Sequence, residues 1–198
     1  MISVKKKGPL KTFADFVRHE KPQKWDDLHC NKKYPNLYND TKACLVDEQG
    51  GVSAYTEEPL SSDTHIDHFR KRDLFPNLIF DWNNLFVDGM SESYGAKFKD
   101  KIIRKDDYAL LISPTEKNVE RYFSYMQNGE IVVAKGLSAY EAKRAAFTIK
   151  AFNLTDSRLT ARRAAVIKSI QDYNDLSPSD IRAAMQGQGF RSVVESAL

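Results

Sequence analysis

His65-Ile66-Asp67-His68 puts half of the chain's four histidines three residues apart around an aspartate, and Arg70, Lys71 and Arg72 follow at once. Asn84-Leu85 begins sixteen positions after His68. Histidine exchanges a proton near neutral pH, a carboxylate holds a hard cation, and Lys and Arg hold phosphate. Hydrolysis of a phosphodiester needs a base for the attacking water, a positive charge for the phosphate, and a polar group that orients the base. The residue types between positions 65 and 85 match those needs. Adjacent side chains on a strand point to opposite faces, so Asp67 and His68 can serve one site only where the strand ends or twists. The Arg70-Lys71-Arg72-Asp73 loop allows that.

The elements that must position these groups can be read from periodicity. Leu10, Phe13, Phe16 and Val17 predict a helix over 9–20, ended by Pro22, with Trp25 and Leu28 opening the next turn. Residues 31–39 read as a loop. Asp40 is placed to cap a helix through Ala43, Cys44 and Val46 that stops at Gly50-Gly51. From 51 to about 105 the pattern turns to short extended pieces and loops. Asn128-Gly129 between Tyr122-Phe123 and Ile131-Val132 predicts a β-hairpin. Behind it, Ser138 and Glu141 form a capping box for a helix carrying Ala142, Ala145, Ile149 and Phe152. Leu159, Val166, Ile167 and Ile170 give a second helix, and Ser177-Pro178 starts a third. The expected architecture is α+β: a mainly helical body with a small β-rich insert and one β-hairpin. Residues 1–50 form a helical segment, 51–105 the insert, and 106–198 the hairpin and C-terminal helices on the same core.

The 198 residues can bury a sizeable core, and 41% hydrophobic with 29% charged residues is an ordinary globular composition. No apolar run reaches the ~20 residues of a membrane span, and the basic start lacks an apolar core, so a cytoplasmic location is expected. A net charge of +3 does not by itself argue for nucleic acid. Its local clusters say more: Lys5, Lys6 and Lys7; Arg70, Lys71 and Arg72; and Lys97, Lys99, Lys101, Arg104 and Lys105. Each reads equally as a solvated face, but the two beside the His motif suit a phosphate chain. Cys30 and Cys44 lack zinc-ligand spacing and read as incidental thiols.

His65-Ile-Asp67-His68-Phe-Arg70 and Asp81-Trp-Asn-Asn84-Leu85 resemble the HNH, or ββα-metal, nucleases. In that family a strand ends in Asp-His, an Asn-Leu pair anchors the loop, and a helix supplies the last metal ligand. The resemblance extends through Leu45 to Gln49, Ala54-Tyr55, Glu57, Pro59-Leu60, Phe75-Pro76, Tyr122-Phe123, Gly129 to Ile131 and Asn153-Leu154. These stretches are similar to the PtuB-like nuclease subunit of Septu-type bacterial anti-phage systems, including retron-associated ones.

The resemblance implies a ββα-metal insert in which His68 is the general base, Asp67 a ligand of Mg²⁺ or another divalent cation, and Asn84 the brace. His65 is the first histidine of the branch's motif. Arg70, Lys71, Arg72, Lys97 and Lys99 would meet the nucleic acid. It further implies an ABC-type ATPase partner of the PtuA kind, in retron systems a reverse transcriptase with its msDNA, and DNA or transfer RNA as target.

Where relatives carry a Cys-x-Tyr-Cys pair and two later ligands for structural zinc, this chain has Ser53, Thr56, Gly89 and Tyr94. No structural zinc is expected, so folding energy on the order of 10 kcal/mol must come from packing around Tyr55, Phe75, Phe80 and Trp82, or from a partner. The last metal ligand falls near Ser93, with Asp88 and Glu92 as alternatives. Two other readings compete with the endonuclease: a degenerate HNH-fold interaction subunit, and a nucleic-acid-binding module without chemistry.

Overall fold

A computed structural model describes residues 1–29, 31–173 and 175–198. Cys30 lies outside the described residues, and Cys44 is a partly buried free thiol. The fold is α+β, with seven α-helices and two antiparallel two-stranded sheets among the described residues. None of these helices is long and apolar enough to cross a membrane.

Strands β1 (Thr64–His68) and β2 (Leu85–Gly89) pair with Ile66 opposite Val87, Asp67 opposite Phe86 and His68 opposite Leu85. Directly opposed residues share a face, so the ribbon has two distinct sides. One side carries Ile66, Leu85 and Val87 into a core with Phe13, Phe16, Trp25, Leu28, Leu37 and Trp82. Helices α1 (Lys11–Glu20) and α2 (Leu37–Glu48) build that core. The other side carries Phe86 into a second core with Tyr55, Phe69, Tyr108, Phe152 and Leu154. The ribbon is therefore buried on both faces. Of the four aromatic anchors expected, Tyr55 and Trp82 are buried, and Phe75 and Phe80 pack partly exposed against the two cores.

Helix α3 (Ala96–Ile102) follows β2 directly and lies on the second core, where Ala96 and Lys99 are its buried residues. Strands β3 (Phe123–Tyr125) and β4 (Ile131–Val133) form the expected hairpin around Gln127, Asn128 and Gly129. The amide of Gly129 donates to Met126 O and that of Met126 to Glu130 O, a three-residue loop with Gly129 at φ +82°. The capping box of Ser138 and Glu141 forms at the start of α4 (Ala139–Ala151). Helices α5 (Ser157–Gln171), α6 (Pro178–Ala184) and α7 (Arg191–Ala197) enclose a third core of Val166, Ile167, Ile170, Ile181, Phe190 and Val193.

The elements differ from the periodicity reading at α2, α3 and α7. Helix α2 begins at Leu37 after Asn36, so Asp40 lies inside its first turn instead of capping it. Residues 51–105 contain α3, where periodicity showed only extended pieces and loops and the resemblance implied a helix, and α7 adds a helix beyond the three expected at the C-terminal end.

Candidate active site

The strand β1 ends at His68, and there the ribbon's two faces reach one cleft. His65, Asp67, His68, Lys71, Arg72, Asp73 and Asp100 line it, around a volume of about 120 Å³.

His68 is 5% exposed, and its ring stands edge-on to Trp25 with centroids 4.5 Å apart. Its Nε2 lies 2.9 Å from Ile79 O. A carbonyl only accepts, so Nε2 carries the proton and Nδ1 is the nitrogen with a lone pair. Burial pushes the imidazole down to about 4 against the pull of Asp67 and of Ile79 O, so the ring is neutral at physiological pH.

Asn84 holds the connection between β1 and β2 in shape. Its Oδ1 accepts from Arg70 N at 2.7 Å, and its Nδ2 donates to Arg70 O and Leu78 O at 3.1 Å each. One buried amide thus ties the start of the 69–84 loop to the turn that presents Ile79 O to His68.

Asp67 points to the opposite face and is 4% exposed. Its Oδ2 accepts from Tyr55 Oη at 2.5 Å and from Lys99 Nζ at 3.1 Å. Burial alone would raise this carboxyl; the Lys99 ammonium and the Tyr55 hydroxyl hold it below the ordinary aspartate value. Lys99 is fully buried. Burial works against its charge, but Asp67 and Asp100 keep the ammonium's pKa above the usual lysine value.

This corrects the expectation for Lys99, whose ammonium is enclosed by protein oxygens and out of reach of phosphate. It also bears on the metal expected beside Asp67. The Lys99 nitrogen stands where such a cation would meet the carboxylate, and as arranged these residues do not fit a divalent ion. Among the described residues, no group of three or more His, Cys, Asp or Glu side chains is placed to hold a metal.

The candidates for a third ligand lie elsewhere. Glu92 is exposed and paired with Lys97 and Lys101. The backbone carbonyl of Ser93 accepts from Asn153. Asp88 is buried, accepting from Ser53 Oγ and from Ala96 N at 2.6 Å each. Burial raises Asp88 to about 6 despite those two donors.

Ser53 Oγ in turn accepts from Tyr55 N and Thr56 N. Gly95 approaches so closely that a Cβ there would meet Asp88 Oδ2 at 2.4 Å, and its φ is +77°. The hydroxyls of Ser53 and Thr56, the bare Gly89 and the Tyr94 phenol offer neither thiolate nor imidazole, and this donor set does not fit zinc. The connections that a zinc ion would make here are hydrogen bonds.

The basic residues divide. Lys71 and Arg72 line the cleft, and Lys71 Nζ donates to Asp100 O at 3.2 Å. Arg70 turns away, its guanidinium stacked over Phe75 and Tyr108. Lys97 is paired with Glu92. His65 borders the cleft with its Nδ1 buried and without a hydrogen-bond partner among the described residues.

Sequence reasoning missed Tyr55 as the partner of Asp67, and Asp100 altogether. Periodicity did not single out the buried lysine, since Phe98 and the exposed Ile102 form an equally apolar pair in the same helix.

Comparison of the chain with protein-family models gives no match, and comparison with curated proteins gives no significant one. The site is therefore read from its own geometry.

Proposed function

We propose that this chain hydrolyses a phosphodiester bond of nucleic acid, with His68 as general base, as the effector subunit of an anti-phage complex with an ABC-type ATPase. The arrangement that supports this reading is the anchoring of His68. Its Nε2 is fixed on Ile79 O, its Nδ1 is left to accept, and it borders a cleft with Lys71 and Arg72. Asn84 supplies the brace that such a base needs.

In the reaction, a water oxygen bonds to phosphorus while its proton passes to Nδ1 of His68. The P–O ester bond breaks, and the departing oxygen takes a proton from solvent. Lys71 and Arg72 meet the phosphate charge. An anion in the cleft raises the low imidazole pKa toward the range where a base works at neutral pH. No step is routed through a metal, because Asp67 is engaged by Tyr55 and Lys99.

The test is incubation of the purified complex with plasmid and with total transfer RNA, beside the same complex carrying His68→Ala. Cleavage of one substrate by the first and not by the second is expected. A His68→Ala complex that still cuts removes the assignment.

One observation favours a second reading, an interaction subunit whose chemistry is lost: the Asp67 carboxylate is neutralised from within by Lys99. A strain carrying His68→Ala that resists phage as well as wild type would favour it.

A further inference from the structure

The nitrogen of Lys99 has an environment of oxygens. Asp67 Oδ2 and Asp100 Oδ1 lie 3.1 Å from it, and the backbone carbonyls of His68 and Phe69 lie 3.0 Å away. Two carboxylates and two carbonyls converging on one point form the donor set that hard divalent cations take. Asp100 Oδ1 is buried, and the Lys99 ammonium 3.1 Å away is its near partner among the described residues. The carbonyls belong to the last residue of β1 and the first of the loop, the place where the chain turns out of the ribbon.

We propose that Lys99 is the resident cation of this site: its ammonium fills an oxygen cage that is otherwise a divalent-cation site, and the chain takes no divalent ion beside Asp67 while Lys99 is present. Withdrawing the ammonium leaves two carboxylates and two carbonyls facing one vacancy, with the Tyr55 ring beside it. The cage then accepts Ca²⁺, Mn²⁺ or a lanthanide. This goes beyond the nuclease reading and does not depend on it, since the cage is defined by binding alone.

The ring of Tyr55 makes the test direct, because a tyrosine next to bound Tb³⁺ sensitises its luminescence. The full chain is titrated with Tb³⁺, and with Mn²⁺ followed by electron paramagnetic resonance, for wild type, Asp67→Asn, Lys99→Ala and Lys99→Ala/Asp67→Asn. Wild type is expected to show no binding below about 1 mM that Asp67→Asn removes. Lys99→Ala is expected to gain an ion at least tenfold more tightly, and the double variant to lose it. If Lys99→Ala does not fold without the ion, folding restored by Ca²⁺ supports the proposal, and Lys99→Met, which keeps the stem, takes its place in the titration.

Tight ion binding by wild type that disappears in an Asp67→Asn chain with unchanged circular dichroism overturns the inference, and so does a folded Lys99→Ala that gains no ion. Either result leaves the His68 assignment standing. A chain that cuts no nucleic acid leaves the binding result standing.

Discussion

Replacing His68 by glutamine tests whether the imidazole is held neutral by its surroundings. Burial lowers its pKa from 6.5 to about 4, and at 5% exposure little solvent screening intervenes. Below pH 6.5 the unfolded chain takes up a proton at this residue while the folded chain does not. The contribution to stability is complete above pH 6.5 and is lost as the pH falls toward 4. Roughly 2.5 pKa units at 1.36 kcal/mol each give about 3 kcal/mol.

The wild-type curve alone would hide this. Asp88 is raised from 3.8 to about 6, so the folded chain binds its proton first and gains stability over nearly the same interval, by a similar amount. The difference between wild type and His68→Gln removes the Asp88 contribution. Glutamine can still donate to Ile79 O and does not titrate.

Urea unfolding followed by the fluorescence of the buried Trp25 and Trp82 gives that difference at each pH. The advantage of wild type over the variant is expected to shrink by about 3 kcal/mol between pH 7.5 and pH 4. A difference constant to within about 0.5 kcal/mol, or an NMR titration of the His68 ring with a midpoint above about 6, would refute the reasoning.

Asn84→Ala removes three hydrogen bonds made by a buried side chain and leaves Arg70 N without its acceptor, so a loss of about 2–4 kcal/mol is expected, with faster exchange of the Arg70 amide. Unfolding within 1 kcal/mol of wild type would mean that the loop stands without its brace. Gly129→Ala forces a Cβ against Thr160 O at 2.1 Å and Ala164 N at 2.5 Å, at a φ of +82°. It should cost more than about 2 kcal/mol by loosening the hairpin from α5, and an unchanged melting temperature would contradict that packing.

The parts of the fold that could be read were those decided by neighbours in sequence. The Ser138–Glu141 box, the Ser177-Pro178 start and the Asn128-Gly129 turn each set their geometry within a few residues, and each forms. The parts that could not be read were decided across the chain. Thr64 to His68 has Ile66 as its one apolar residue, yet two cores supplied by distant segments cover both faces of the ribbon. Helix α3 reads as a charged run through Lys97, Lys99 and Lys101 until Asp67, 32 positions upstream, is placed opposite Lys99. The brace role of Asn84 came only from the resemblance, and the structure has its amide joining Arg70 to Leu78. Lys99 was misread as a surface cation because its partner is remote.

Asp67 and Asp88 lie on the same face of the ribbon, and together they fix α3. Asp88 receives the amide of Ala96 at the helix start, and Asp67 receives Lys99 one turn later. Ser53 joins Asp88 to the 53–56 turn, so the contacts run unbroken from that turn through the ribbon to the helix. Asp67 is consequently structural whatever chemistry the cleft performs. Removing its charge strands a buried ammonium, and a loss of activity in an Asp67 variant would not distinguish a missing ligand from a displaced helix. His68 differs in this respect. Its ring touches Trp25 and Ile79 O on the opposite face and takes no part in holding α3. The question of chemistry in this cleft therefore falls to His68, while the question of a cation falls to Lys99 and Asp67 together.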